Sequence, residues 1–286
     1  MQEILEMLQD TAIDTIKLLP FLFITYLIME YIEHKTSNKV KDVIKKSGKF
    51  GPLLGAIVGI FPQCGFSVSA TNLYAGRVIT LGTLISVYLA TSDEMLPILL
   101  TEAVPAGTIF TILGIKLVLG IVAGFIIDFV IRMFRKEKVE EQEEKIEEIC
   151  EHEHCHCEEG IVTSAIKHTL NITIFIFFIT LVLNGIIAYI GEDTIAHFIS
   201  KNVILGPIVA GLIGLIPNCA SSVILTELFI SNVISMPVLI SGVAVNAGVG
   251  LLVLFKTNKN VKENIKIVGI LYLIGVLAGI ILELFL

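Results

Sequence analysis

Charge is what this sequence has least of. Only 16% of its 286 residues are Asp, Glu, Lys or Arg, against 55% hydrophobic, and the mean hydropathy is +0.87. A soluble domain of this size needs more charge to cover its surface, so the bilayer is the expected solvent of most of the chain. Residues 1–16 lack both a basic segment and a small-residue cleavage site, so no cleavable signal peptide is expected. Cysteine is scarce as well: five residues, two of them inside apolar segments, exclude a disulfide framework. There is no Gly-x4-Gly-Lys-[Ser/Thr] loop to cradle phosphates, so this chain is not expected to hydrolyse ATP. The net charge of −7 comes largely from one acidic loop and points to no nucleic acid.

What is present instead is a set of apolar stretches long enough to cross a hydrocarbon core, which takes about 20 helical residues. They fall near 12–32, 78–100, 107–131, 170–190, 233–255 and 265–286. The chain also matches itself without a gap at a shift of 155 residues. Gly51-Pro52 falls on Gly206-Pro207, Pro62-Gln63-Cys64 on Pro217-Asn218-Cys219, and Ser67-Val68 on Ser222-Val223. Across 51–86, 14 of 36 positions are identical, where about three are expected by chance. The matches include Pro, Cys, Thr and Gly, which a shared richness in Leu and Ile does not explain.

Lysine and arginine near span ends stay cytoplasmic, and here they assign opposite orientations to the halves. The connector holding Lys35, Lys39, Lys41, Lys45, Lys46 and Lys49 has as its counterpart 189–203, with only Lys201 beside Glu192 and Asp193. Residues 101–107 carry Glu102 and no lysine, whereas 256–266 carry Lys256, Lys259, Lys262 and Lys266. The expected fold is therefore an all-α integral membrane protein of two inverted-topology repeats, 1–134 and 163–286. Between them lies a cytoplasmic loop, 135–162, and both termini lie outside, in the inner membrane of the cell. Opposite orientation requires an odd number of crossings per half. Residues 51–61 and 66–76 are each too short to cross alone, and Pro62 and Pro217 break them. Each half is then expected to hold about five membrane segments, counting a re-entrant or broken helical hairpin at the proline; one kinked span is the alternative. Gly120-x3-Gly124 and Gly275-x3-Gly279 read as close helix-packing faces.

Broken segments at equivalent places in two inverted halves are the best pointer to a transporter's site. They direct attention to Gln63, Cys64 and Ser67 in one half and Asn218, Cys219 and Ser222 in the other. Amide oxygens, hydroxyls and thiols suit a dehydrated cation, and two thiolates favour a soft one; the plain alternative is that Cys packs and Ser and Asn satisfy helix ends. Ionisable groups inside apolar runs point to function. Glu227 is one, with Asn72 as its counterpart. Asp93 and Glu94, after Thr91 and Ser92, interrupt the 78–100 span, and Thr91 matches Asn246. The carboxylates suit Mn²⁺ or exchanged protons, or else cap a helix starting near Met95. Lys116, deep in an apolar span, is a candidate counter-charge to these acids. In the central loop, Cys150, His152, His154, Cys155, His156 and Cys157 have the density of a Zn²⁺-class binding segment without the paired spacing of a structural zinc site.

The motifs Phe61-Pro-Gln-Cys-Gly-Phe-Ser67 and Ile216-Pro-Asn-Cys-Ala-Ser-Ser222, with Thr91-Ser-Asp-Glu94 and the His-rich loop, resemble those of the prokaryotic ten-transmembrane heavy-metal exporter family, whose members carry both manganese-transporter and arsenic-efflux labels. The resemblance implies ten membrane segments and export of a toxic metal or metalloid. The function expected is secondary, proton-coupled export of a divalent transition metal, Mn²⁺ by resemblance. The alternative is arsenite or organoarsenical efflux through the cysteine pair. An intramembrane enzyme is disfavoured, since no histidine base lies near the proposed midplane, and a metal-gated channel or sensor is the remaining class. The expected partners are the bilayer, the transported ion and protons, with a homodimer admitted and no tightly bound cofactor.

Overall fold

The structure is a computed structural model describing residues 8, 9, 11–13, 15, 16, 19, 20, 22–24, 26, 27, 50–62, 64–92, 94–134, 161–190 and 205–285. The described residues between 8 and 27 are helical. Thereafter the helices are α1 (Gly51–Gly59), α2 (Cys64–Ala75), α3 (Leu81–Ala90), α4 (Met95–Thr101), α5 (Ala106–Phe134), α6 (Ile161–Ile190), α7 (Leu205–Gly214), α8 (Cys219–Ile230), α9 (Met236–Val245), α10 (Gly250–Thr257) and α11 (Val261–Phe285). No strand occurs among the described residues.

Local chemistry explains the boundaries. Proline opens α1 and α9, where its missing N–H costs nothing. Thr80 and Ser235 cap α3 and α9 by accepting from Thr83 N and Val238 N. Pro62 and Pro217 stop the preceding helices, and the chain resumes at Cys64 and Cys219. Helices α2 and α8 end alike: Arg77 and Asn232 both take φ 59°, and Val78 N and Val233 N reach back to Leu73 O and Leu228 O.

The starts of α2, α3, α4 and α5 recur in α8, α9, α10 and α11 at the 155-residue shift. Tertiary bonds recur with them. Ser86 Oγ donates to Pro52 O at 2.5 Å and Ser241 Oγ to Pro207 O at 2.7 Å. Thr80 Oγ1 donates to Asp128 and Ser235 Oγ to Glu283. The contacts between the two sets are exchanged in pairs: α2 packs on α10 as α8 packs on α4, α3 on α11 as α9 on α5, and α3 on α9 pairs with itself.

Glycines set how closely these helices approach. A Cβ on Gly59 would lie 2.6 Å from Val87 O, and one on Gly124 2.7 Å from Gly82 O. In the second set a Cβ on Gly279 would lie 2.6 Å from Ser241 Cβ, so both Gly-x3-Gly pairs are packing faces as expected.

Among the described residues, five stretches are long and apolar enough to cross a membrane: Leu81–Thr101, Ala106–Met133, Ala165–Val182, Met236–Thr257 and Val261–Phe285. Two of them are broken, the first between α3, which ends at Ala90, and α4, which starts at Met95, and the second at 246–249 between α9 and α10. The broken pair Met236–Thr257 is 89% buried, whereas the unbroken α11 is 28% buried. The interrupted helices therefore form the centre and the continuous ones the rim. On the rim, Val162, Ile166, Leu170, Ile174, Phe178 and Val182 make an exposed stripe along α6, a surface suited to lipid. The first expected span, 12–32, is described only in part.

Candidate substrate site

Cys64 and Cys219 are the first residues of α2 and α8, and the structure brings them together, Sγ to Sγ 3.0 Å. Both are thiols, not a disulfide; Cys219 is buried and Cys64 half-buried. Each sulfur stands at a helix amino terminus, where unsatisfied N–H groups and the helix dipole favour negative charge. The serines expected as ligands sit one turn on. Ser67 Oγ donates to Cys64 O and Ser222 Oγ to Cys219 O, both at 2.8 Å, so their protons are used within the first turn and their oxygens remain acceptors. Asn218 caps α8 by accepting from Ala220 N at 3.4 Å.

The second mid-span break packs against the first turns of α2 and α8, which carry this pair. A Cβ on Gly250, the first residue of α10, would meet Ser67 Cβ at 3.0 Å. Thr71 Oγ1 reaches Gly250 O at 3.2 Å and Tyr88 OH at 2.5 Å, tying α2, α3 and α10 into one unit. At the second break Asn246 Nδ2 donates to Ser221 Oγ at 3.1 Å, and Asn246 Oδ1 accepts from Gly248 N at 2.7 Å. Gly248 takes φ 53°, which lets the chain turn between α9 and α10. At the first break Thr91 and Ser92 are buried, and Thr91 N lies 3.3 Å from where a Cβ on Gly59 would stand.

The remaining expected residues are distributed unevenly. Gln63, Asp93 and the loop residues Cys150, His152, His154, Cys155, His156 and Cys157 lie outside the described residues. Glu94 precedes α4 half-buried and makes no side-chain cap bond, although α4 does begin at Met95. Asn72 is buried, accepts from Tyr26 OH at 3.4 Å, and leaves its Nδ2 without a hydrogen-bond partner. Glu227, its counterpart, is on an exposed face of α8. Lys116 is fully buried, and its ammonium donates to Val243 O at 2.6 Å, the last turn of α9 before the break. A cation there meets the negative end of the helix. Among the described residues no three of His, Cys, Asp and Glu cluster as metal ligands.

Three participants escape the residue pattern: Ser221, Tyr88 and the 246–249 break. Only the last had a signal, Asn246-Ala-Gly248, which is turn chemistry inside an apolar run. Replacing Asn246 by Leu is expected to cost about 1–3 kcal/mol, because Ser221 and Gly248 N lose their partner in a dry setting. Asn246→Asp, which keeps the acceptor for Gly248, should fall between; thermal unfolding of the purified protein in detergent reads both.

A family model described as "Putative, 10TM heavy-metal exporter" matches residues 3–176, which is more than half of the 286. No curated protein and no solved structure matches the chain.

Proposed function

The chain belongs to the ten-transmembrane heavy-metal exporter family, and from that premise we propose that it is a secondary transporter exporting a thiophilic metal or metalloid ion held between Cys64 and Cys219. The observation that carries this reading is the 3.0 Å approach of the two sulfurs. Thiols select soft and borderline ions over hard ones. The helix amino termini that present them favour the negative charge of metal-bound thiolates.

The membrane frame of this proposal is two inverted repeats, 1–134 and 163–286, with 135–162 cytoplasmic and the termini outside. Helices α1–α2 and α7–α8 are re-entrant hairpins, their tips at Pro62 and Pro217. Two facts support it: reciprocal contacts between the halves and reversed lysine loops. Counting the hairpin arms, each half then supplies five segments. Alternating access follows if each half closes one end in turn. Protons are the coupling ion, with Asp93, Glu94 or Glu227 as carrier. The Cys/His segment 150–157 gathers the ion before transport.

The test is uptake into everted membrane vesicles across a panel of arsenite, Cd²⁺, Zn²⁺ and Mn²⁺, in wild type and Cys64→Ser. Loss of transport of a thiophilic ion in the variant supports the reading. Mn²⁺ transport that survives the substitution would show an oxygen-ligated cargo instead and overturn it. Transport indifferent to an imposed pH gradient would remove the proton coupling alone. Replacing all six loop residues by Ser and Asn is expected to leave the rate at saturating ion unchanged and to raise the half-saturating concentration.

A further inference from the structure

Among the described residues, one end of the molecule carries a charged connection between the halves that has no counterpart at the other end. Arg77, in the turn closing α2, donates to Glu263 of α11 through both terminal guanidinium nitrogens, at 2.8 and 3.0 Å. Tyr74 OH donates to the same carboxylate, and the guanidinium lies 5.3 Å from the Tyr74 ring centroid. Hydrogen bonding to Glu263 holds the Arg77 guanidinium above its ordinary, already high pKa, so Arg77 stays charged at physiological pH. Tyr74 is buried and both charged side chains are less than a quarter exposed. A bidentate, partly buried pair of this kind is far stronger than a solvated surface bridge.

Glu263 is itself held in place. Its N–H donates to Asn260 Oδ1, and Asn264 Nδ2 ties α11 to Asn258 O at 2.7 Å. The connection thus ends on the short, braced loop between α10 and α11. Helices α2 and α10 pack together; α2 runs from Cys64 to the turn that holds Arg77, and α10 starts against Ser67 and leads into the loop before Glu263. Any passage from the thiols to the end marked by Lys256, Lys259, Lys262 and Lys266 that parts these helices must break the ion pair.

At the 155-residue shift the counterparts of Tyr74, Arg77 and Glu263 are Phe229, Asn232 and Thr108. Phenylalanine offers no donor, Asn232 Nδ2 bonds locally to Ile230 O at 3.3 Å, and no ion pair can form from these types. The reciprocity of the helix contacts is therefore not kept at these three positions.

We propose that Tyr74, Arg77 and Glu263 are a latch that closes the lysine-rich end of the protein over the thiol pair, and that admission of the ion from that end requires its release. This rests on the transporter reading above. The opposite end, where Phe229, Asn232 and Thr108 stand at the matching positions and form no such lock, opens more readily, which would bias the empty protein towards one face.

Side-specific thiol labelling tests it, using the full chain with Cys150, Cys155 and Cys157 changed to Ser so that only Cys64 and Cys219 report. Vesicles of both orientations are treated with a membrane-impermeant maleimide. Glu263→Gln and Arg77→Gln should be labelled roughly tenfold faster than the parent from the lysine-rich side, with the opposite side unchanged. The charge swap Arg77→Glu/Glu263→Arg should return the rate towards the parent's, and Tyr74→Phe should give a smaller rise. Should the single Gln variants fail to fold, the swap and Tyr74→Phe decide. Unchanged labelling from that side, an equal rise from both sides, or a swap as fast as the single variants overturns the latch. Labelling needs no transported ion, so a latch that behaves as expected in a chain that exports nothing would sink the transport reading alone.

Discussion

Cys64→Ser and Cys219→Ser are each expected to lower the tolerated concentration of a thiophilic ion by about tenfold or more in a host lacking its own exporters, since even groups behind a metal's direct ligands cost 10–100-fold. The double variant should be no worse than either single one. On the proposed reading two sulfurs 3.0 Å apart would hold one ion between them, and once one is gone the other has no partner to chelate with, so the effects should not add. Stability is expected to change little, because serine replaces a small side chain at a helix start where hydroxyls are well tolerated. Metal tolerance, cellular metal content and unfolding of the purified protein separate these quantities. Additive losses, or losses that track unfolding, would mean that the cysteines pack rather than bind.

The second large effect concerns the backbone. Gly214→Ala should yield little folded protein, since its Cβ would land on the Gly242 carbonyl. Gly59→Ala, with its Cβ 2.6 Å from Val87 O, should be nearly as severe. Overpacking costs about 1–3 kcal/mol when side chains can give, and a carbonyl inside a helix gives less. Gly114→Ala and Gly269→Ala meet nothing within 4 Å and should stay within about 1 kcal/mol of wild type, alanine being the better helix former. Expression in membranes and melting temperature in detergent are the readouts. Equal tolerance of all four changes would contradict the close approach of α1 to α3 and of α7 to α9.

Much of the fold is legible from residue type and spacing, because the rules involved are local. Prolines, caps and apolar runs announce where helices stop, and the match of Pro62-Gln63-Cys64 with Pro217-Asn218-Cys219 announces that they stop twice. The break at 246–249 was hidden by its surroundings: an apolar run of the right length reads as one helix, and a lone Asn and Gly weigh little against it. The reading of Glu227 and Asn72 as equivalent polar groups illustrates a different limit. Equivalence in sequence carries no information about which face is covered, and the fold buries Asn72 while leaving Glu227 exposed.

The same division holds at the site. The sequence by itself determined that the chain is a membrane protein of duplicated, proline-broken segments, because hydropathy and helix breaking depend on neighbours within a few residues. It also supplied the two thiols and the deep lysine. Only the tertiary structure decided that the sulfurs touch across 155 residues, that Lys116 ends on the carbonyl of Val243, and that Arg77 grips Glu263 rather than water. Those partners are set by how closely glycine lets the helices approach, and that distance is a property of the packed chain, not of any segment in it.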